Sequence, residues 1–188
     1  CYEKQIAEKL EESGLDHRQR RFLRSLQNVI EALRIYHGRY LQAVKTVKPE
    51  IYKNLQQVPF RPARNFYEAV QCIWFIFSFV RLCGNWPGIG RLDLLLGDYL
   101  KKDLASGVQT IRSAREILAS FFIKGTEWIE KDTVPGSGDA QHYQNIVLAG
   151  TDEDGNETAN EVTYLVLDII EELGISDFPV TVRISEKT

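Results

Sequence analysis

With 188 residues, 44% hydrophobic content and a formal net charge of −3, the chain has material for one sizeable core and no excess of basic charge. That balance excludes a nucleic-acid interface built on a basic face. The three cysteines, Cys1, Cys72 and Cys83, have neither metal-ligand nor redox spacing, which predicts free thiols in a reducing cytoplasm and no metal site.

No charged segment followed by an apolar run and a cleavage site opens the chain. Residue 1 is a cysteine and methionine is absent, so the sequence reads as a trimmed piece of a longer protein. Apolar residues at helical spacing predict helices over 2–12 and 16–47, the second carrying Phe22, Leu26, Val29, Leu33, Tyr36 and Tyr40. Lys48-Pro49 ends it, because a residue before proline is pushed out of the helical region. His17 and His37 sit on these charged helices and read as surface groups. The basic run over 17–21 follows acidic residues and reads as a solvated face. A short helix over 50–58 comes next, then Pro59-Phe60-Arg61-Pro62 as an extended linker.

The longest apolar run, VQCIWFIFSFVRLC over 70–83, is broken by Gln71, Ser78 and Arg81. A membrane span needs about 20 apolar residues. Asn65 with Glu68 marks a helix start and Gly84 a stop, which predicts a fully buried helix of about five turns. Its aromatic residues, Phe66, Trp74, Phe75, Phe77 and Phe79, read as core rather than a cofactor box. Cys72 reads as a small buried hydrophobe, and Cys83 has no adjacent cation or base to make it a nucleophile.

Two further amphipathic helices are predicted over 93–106 and 113–131, separated by Gly107. Asp98, Lys101, Lys102 and Asp103 read as surface charge. Arg91 and Asp93 stand at a helix entrance, where Asp93 is expected to cap free amides and Arg91 to pair with a carboxylate elsewhere. The segment DTVPGSGD over 132–139 reads as a flexible loop.

The last stretch spells strand, helix, strand. Residues 144–149 are β-branched and apolar, and 150–156 are turn chemistry. Thr158 with Glu161 reads as a capping box for a helix over 159–173 that Gly174 closes. Val180, Val182 and Ile184 then alternate with Thr181 and Arg183 in a strand over 180–185. A strand, a crossover helix and a strand make a right-handed parallel unit, with the helix packed across both strands. Two parallel strands cannot bury both faces alone, so either other chains complete the sheet or this is the front part of a longer protein.

Two tempting motifs fail. Asp152, Asp154 and Asn156 imitate a calcium loop, yet Glu157 stands at the sixth position, where glycine is required, and Thr163 at the twelfth. Asn156-Glu157-Thr158 is a glycosylation pattern without a secretory leader.

The blocks VPFRPARNFYEAVQCIWF, GRLDLLLGDYLKKDL, YQNIVLAG, NEVTYLVLDI and FPVTVRISEKT, in that order and spacing, resemble the glycyl radical enzymes, the group of pyruvate formate-lyase and the glycerol and diol dehydratases. The resemblance implies an α/β fold: a ten-stranded barrel of two parallel half-barrels in a helical shell. On that expectation, residues 1–188 are one partial domain, helical over 1–131, with a loop and a strand-helix-strand unit over 132–188. The implied parent is an anaerobic, cytoplasmic lyase, transferase or dehydratase performing radical C–C cleavage or elimination on a small organic substrate. It stores a glycyl radical installed by an S-adenosylmethionine iron–sulfur activating enzyme and passes it to a cysteine.

Neither the radical glycine loop nor the cysteine loop is recognisable in this chain, so it is expected to be inactive alone, with no catalytic residue of its own. Its partners are then the rest of the parent, the activating enzyme, a small substrate and a second copy in a homodimer, and neither nucleic acid nor membrane. The loop Gly84–Gly90 is the substrate-facing candidate. Where polyol-using relatives place a histidine-serine pair, this chain has Asn85, Trp86 and Pro87, which argues against glycerol. A loop tryptophan plugging the helix shell is the competing reading. His142 and Asn145, at the mouth of the first strand, are weaker polar candidates. The alternative for the whole is a degenerate relative serving as a helical interaction module.

Overall fold

The computed structural model describes residues 2–82, 88–126, 145–174 and 178–185. The chain forms two compact units, Cys1–Gln56 and Gln57–Thr188. The first is a helical layer of α1 (Tyr2–Glu11), α2 (His17–Val44) and α3 (Pro49–Leu55), with α1 and α3 both packed on α2. Asp16 caps α2 by accepting the Gln19 amide at 2.8 Å while Gln19 reciprocates. His37 is not a surface residue as expected: it is half-buried, with Nε2 2.6 Å from the Leu55 carbonyl. The stripe read on α2 is split by packing, since Leu26, Leu33 and Tyr36 are half-covered while Phe22, Val29 and Tyr40 stay exposed.

The second unit holds α4 (Phe66–Arg81), β1 (Gly90–Arg91), α5 (Leu92–Ala105), α6 (Ile111–Gly125), β2 (Ile146–Ala149), α7 (Glu161–Leu173) and β3 (Val180–Arg183). Residues 56–60 are turns, so the short helix expected to reach residue 58 ends at Leu55 and the linker expected to be extended over 59–62 begins in a turn, with the Val58–Pro59 peptide cis. Asn65 caps α4 as predicted, accepting the Glu68 amide at 2.9 Å. The helix buries one face rather than all of itself, because Phe66, Phe75 and Phe77 are buried and Trp74 and Phe79 only partly so. Asp103, expected on the surface, is buried because its Oδ2 accepts the Phe66 amide at 2.8 Å, closing the start of α4 from α5.

Leu92, Leu96 and Leu100 recur every four residues on α5 and are all buried. They share one core with Leu118, Phe121 and Phe122 of α6, Val162, Val166 and Ile169 of α7, and Ile146 and Leu148 of β2. Burying a leucine, valine or phenylalanine side chain stabilises a fold by roughly 1.5–3 kcal/mol, so this cluster dominates the unit. No described helix is long and apolar enough to cross a membrane.

The strands form one parallel sheet in the order β1-β2-β3, with Arg91 opposite Val147 and Ala149 opposite Arg183. The two long-predicted strands are parallel neighbours as expected. One detail differs. β1 interrupts the segment read as helical, and it is too short for any alternation to announce it. Helix α5 also packs closely on β2, while α7 lies against α5 and α6 and shares the core that covers β2.

Candidate functional site

In open parallel sheets, ligands bind outside the carboxyl ends of the strands. Here that edge is made by Arg91 at the end of β1 with Asp93 beyond it, Ala149 at the end of β2 with the loop 150–158 beyond it, and Arg183 at the end of β3.

Asp93 is fully buried and holds three donors. Its Oδ2 accepts the Ala149 amide at 2.6 Å and the Thr163 hydroxyl at 2.8 Å, and Oδ1 accepts the Leu94 amide at 2.9 Å. It therefore ties strand β2 to helices α5 and α7, rather than serving as the simple cap expected. A buried carboxylate is tolerated only when its lone pairs are filled this way.

Arg91 also departs from expectation, because among the described residues its hydrogen bonds go to carbonyls and a hydroxyl, not a carboxylate. Its Nη2 donates to the Ala149 carbonyl at 2.9 Å and to Thr158 Oγ1 at 2.6 Å. Its Nη1 reaches the Thr151 carbonyl at 3.5 Å, and Arg183 Nη1 approaches the same carbonyl at 3.5 Å. The Thr158 hydroxyl in turn donates a hydrogen bond to the Gly150 carbonyl at 2.9 Å. That hydroxyl is thus engaged in the loop and does not cap α7. Asn160 caps it instead, accepting the Val162 amide at 2.9 Å, with Thr163 Oγ1 accepting the Asn160 amide at 3.1 Å.

The loop after β2 closes on itself. Thr151 and Glu157 form an antiparallel bridge, the Thr158 amide donates to the Gly150 carbonyl at 2.8 Å, and Asp152 accepts the amides of Asp154 and Asn156 at 3.0 and 2.8 Å. The side-chain amide of Asn156, then its backbone amide, holds the Asp152 carboxyl below the usual carboxylate range. This is the acidic cluster that imitates a calcium loop, and the Asp152 oxygens in it are occupied by the loop's own N–H groups.

Of the predicted site residues, Asn85, Trp86 and His142 lie outside the described residues, as do Pro87 and Cys83. Asn145 lies at the amino end of β2, the edge opposite Arg91 and Ala149. Its Oδ1 accepts the Thr181 hydroxyl at 3.1 Å and its carbonyl accepts the Gly90 amide at 3.3 Å, so it staples β2 to both neighbours. Sequence reasoning missed the convergence on Ala149, whose left-handed backbone (φ 54) no residue type announced. Cys72 sits midway along α4, where burial pushes its thiol up.

A sequence model of the family described as Pyruvate formate lyase-like matches residues 2–188. Isethionate sulfite-lyase from Desulfovibrio desulfuricans is 29% identical over 175 residues, covering 82% of this chain and 21% of its own. Indoleacetate decarboxylase from Tractidigestivibacter scatoligenes is 35% identical over 130 residues, covering 65% of this chain and 15% of its own. Among solved structures, the glycerol-bound B12-independent glycerol dehydratase from Clostridium butyricum superposes with a TM-score of 0.83 at 26% identity, covering 98% of this chain and 26% of that one. The chain thus spans between 14% and 21% of the length of the first four curated relatives.

Proposed function

The chain belongs to the pyruvate formate lyase-like family of glycyl radical enzymes, and from that premise we propose that it is part of a lyase or dehydratase acting on a small organic anion. The family match over residues 2–188 carries the reading of the parent as such an enzyme. The substrate class is supported by the relatives' own names: isethionate bears a sulfonate and indoleacetate a carboxylate.

In the parent, the radical glycine and the thiyl cysteine come from chain beyond these residues. Once installed by an S-adenosylmethionine activating enzyme, the radical supplies hydrogen-atom abstraction. Cys72 fits this division of labour, since it is part of a helix rather than a loop that meets substrate. The present chain contributes the helical shell, the first parallel strands and polar groups that orient substrate. Asn85 provides directional hydrogen bonds and Trp86 an apolar wall that excludes water, with His142 as a lesser contact, while Asn145 holds β2 to its neighbours at the opposite edge. The parent works in the cytoplasm and pairs as a homodimer.

The test is electron paramagnetic resonance on the intact parent with activating enzyme, S-adenosylmethionine and reductant, followed by turnover of isethionate, indoleacetate and glycerol. A glycyl doublet with turnover of at least one anionic probe, and no doublet on residues 1–188 alone, is the expected result. An intact parent that never yields the doublet would instead be a degenerate relative acting as an interaction module.

A further inference from the structure

Ala149 ends β2 with φ 54, and Gly150 follows with φ 83. Glycine takes such a conformation freely, but an alanine resists it, because its Cβ crowds the backbone. Both polar backbone groups of Ala149 are seized from a single tripeptide: its amide by Asp93 Oδ2 at 2.6 Å, its carbonyl by Arg91 Nη2 at 2.9 Å. Backbone held in a sparsely populated region persists only where its surroundings over-determine it, and such strain clusters at functional sites.

The loop beyond this point is closed by its own hydrogen bonds from Gly150 to Thr158, so it turns as one body. Its direction is therefore decided at Ala149. Arg91 holds the far end as well, through Thr158 Oγ1 at 2.6 Å.

We propose that Arg91 and Asp93 are positioning residues: by clamping Ala149 in the left-handed conformation they aim the 150–158 loop over the carboxyl edge of the sheet, where it forms one wall of the substrate pocket. The pocket wall rests on the function proposed above; the clamp itself does not. The Asp93→Asn change isolates the effect. An asparagine keeps size and shape but replaces one acceptor oxygen by a donor, so either the Ala149 amide or its companions lose a partner.

The experiment uses the intact parent as wild type, Asp93→Asn, and Asp93→Asn combined with Ala149→Gly. Amide hydrogen exchange is read along the chain, and KM and kcat are read with isethionate and indoleacetate. The clamp predicts that amides over 150–158 exchange at least tenfold faster in Asp93→Asn while those of α5 and α7 beyond their first turns, where Leu94 and Thr163 also meet Asp93, keep their rates. KM rises about tenfold with kcat within threefold. Adding Ala149→Gly returns both toward wild type, because glycine adopts the required φ unaided. Unchanged loop exchange, exchange raised uniformly across α5 and α7, or faster loop exchange without any KM change overturns the proposal. If wild type turns over neither probe, the anionic-substrate reading falls, and the exchange pattern and its rescue still decide the clamp.

Discussion

The side-chain amide of Asn160, the residue that caps α7, donates to the backbone carbonyl of Asp93 at 3.2 Å. This brings Asn160 against α5 at Gly97, where an added Cβ would meet Asn160 Nδ2 at 2.6 Å. Glycine inside a helix costs about 1 kcal/mol relative to alanine, so the close approach explains its presence. Gly97→Ala is expected to destabilise the fold by about 1–3 kcal/mol through overpacking. In an Asn160→Gly background, which keeps most of the cap, the same change should become neutral or stabilising. Urea unfolding of the four proteins measures the coupling, and additive effects would show that the contact is not what selects glycine.

Phe178 fills the joint between α6 and β3. Its ring stacks on Phe121 at 5.6 Å and meets Phe77 and Phe122 edge-on at 5.8 and 5.9 Å. Phe178→Ala is expected to cost about 3–5 kcal/mol. A Cβ at Gly125 would run into the same ring, so Gly125→Ala should also destabilise, and the double variant should lose less than the sum. Denaturant midpoints with unchanged slopes give the answer.

Asp152 makes the loop after β2 sensitive to acid. Its folded-state pKa is depressed, so its contribution to loop order is present above the unfolded value of about 3.9 and is lost as pH falls through the lower folded value. Carboxyl NMR should place the Asp152 midpoint below that of an unfolded peptide, with the amides of Asp154 and Asn156 losing exchange protection over the same range. A midpoint at or above the ordinary value would show that the turn does not favour the charged form.

Trp86 is expected to set substrate preference in the intact parent. A polyol hydroxyl facing its ring would be left unpaired, at a cost of about 1–3 kcal/mol or roughly ten- to hundredfold in affinity. Trp86→Ala should therefore raise glycerol binding relative to isethionate by about that factor. Competition binding with both compounds reads it directly, and an unchanged ratio would remove Trp86 from the pocket.

What the sequence made legible was the chemistry that acts over one helical turn. Asn65 and Gly174 declare helix ends because each satisfies groups three or four residues away, and both do so in the fold. Competing local solutions were harder to separate. Thr158 and Asn160 both precede α7, and the choice between them depends on Arg91, which lies more than sixty residues earlier and engages the Thr158 hydroxyl. The start of α6 was missed for a similar reason, since Thr110 caps it with Ser113 in place of the usual acidic partner. The clamp on Ala149 was invisible: it joins side chains to backbone more than fifty residues away, and an alanine in sequence carries no mark of a positive φ.

β3 has a strand on one side only among the described residues, and Val182 on it and Ile184 just beyond it stand exposed. Its outer amides and carbonyls therefore face outward beside apolar side chains, which is the arrangement that recruits another chain edge to edge. Prepared as an isolated piece, the polypeptide is expected to carry its own adhesive border, so that association grows with concentration and reverses on dilution.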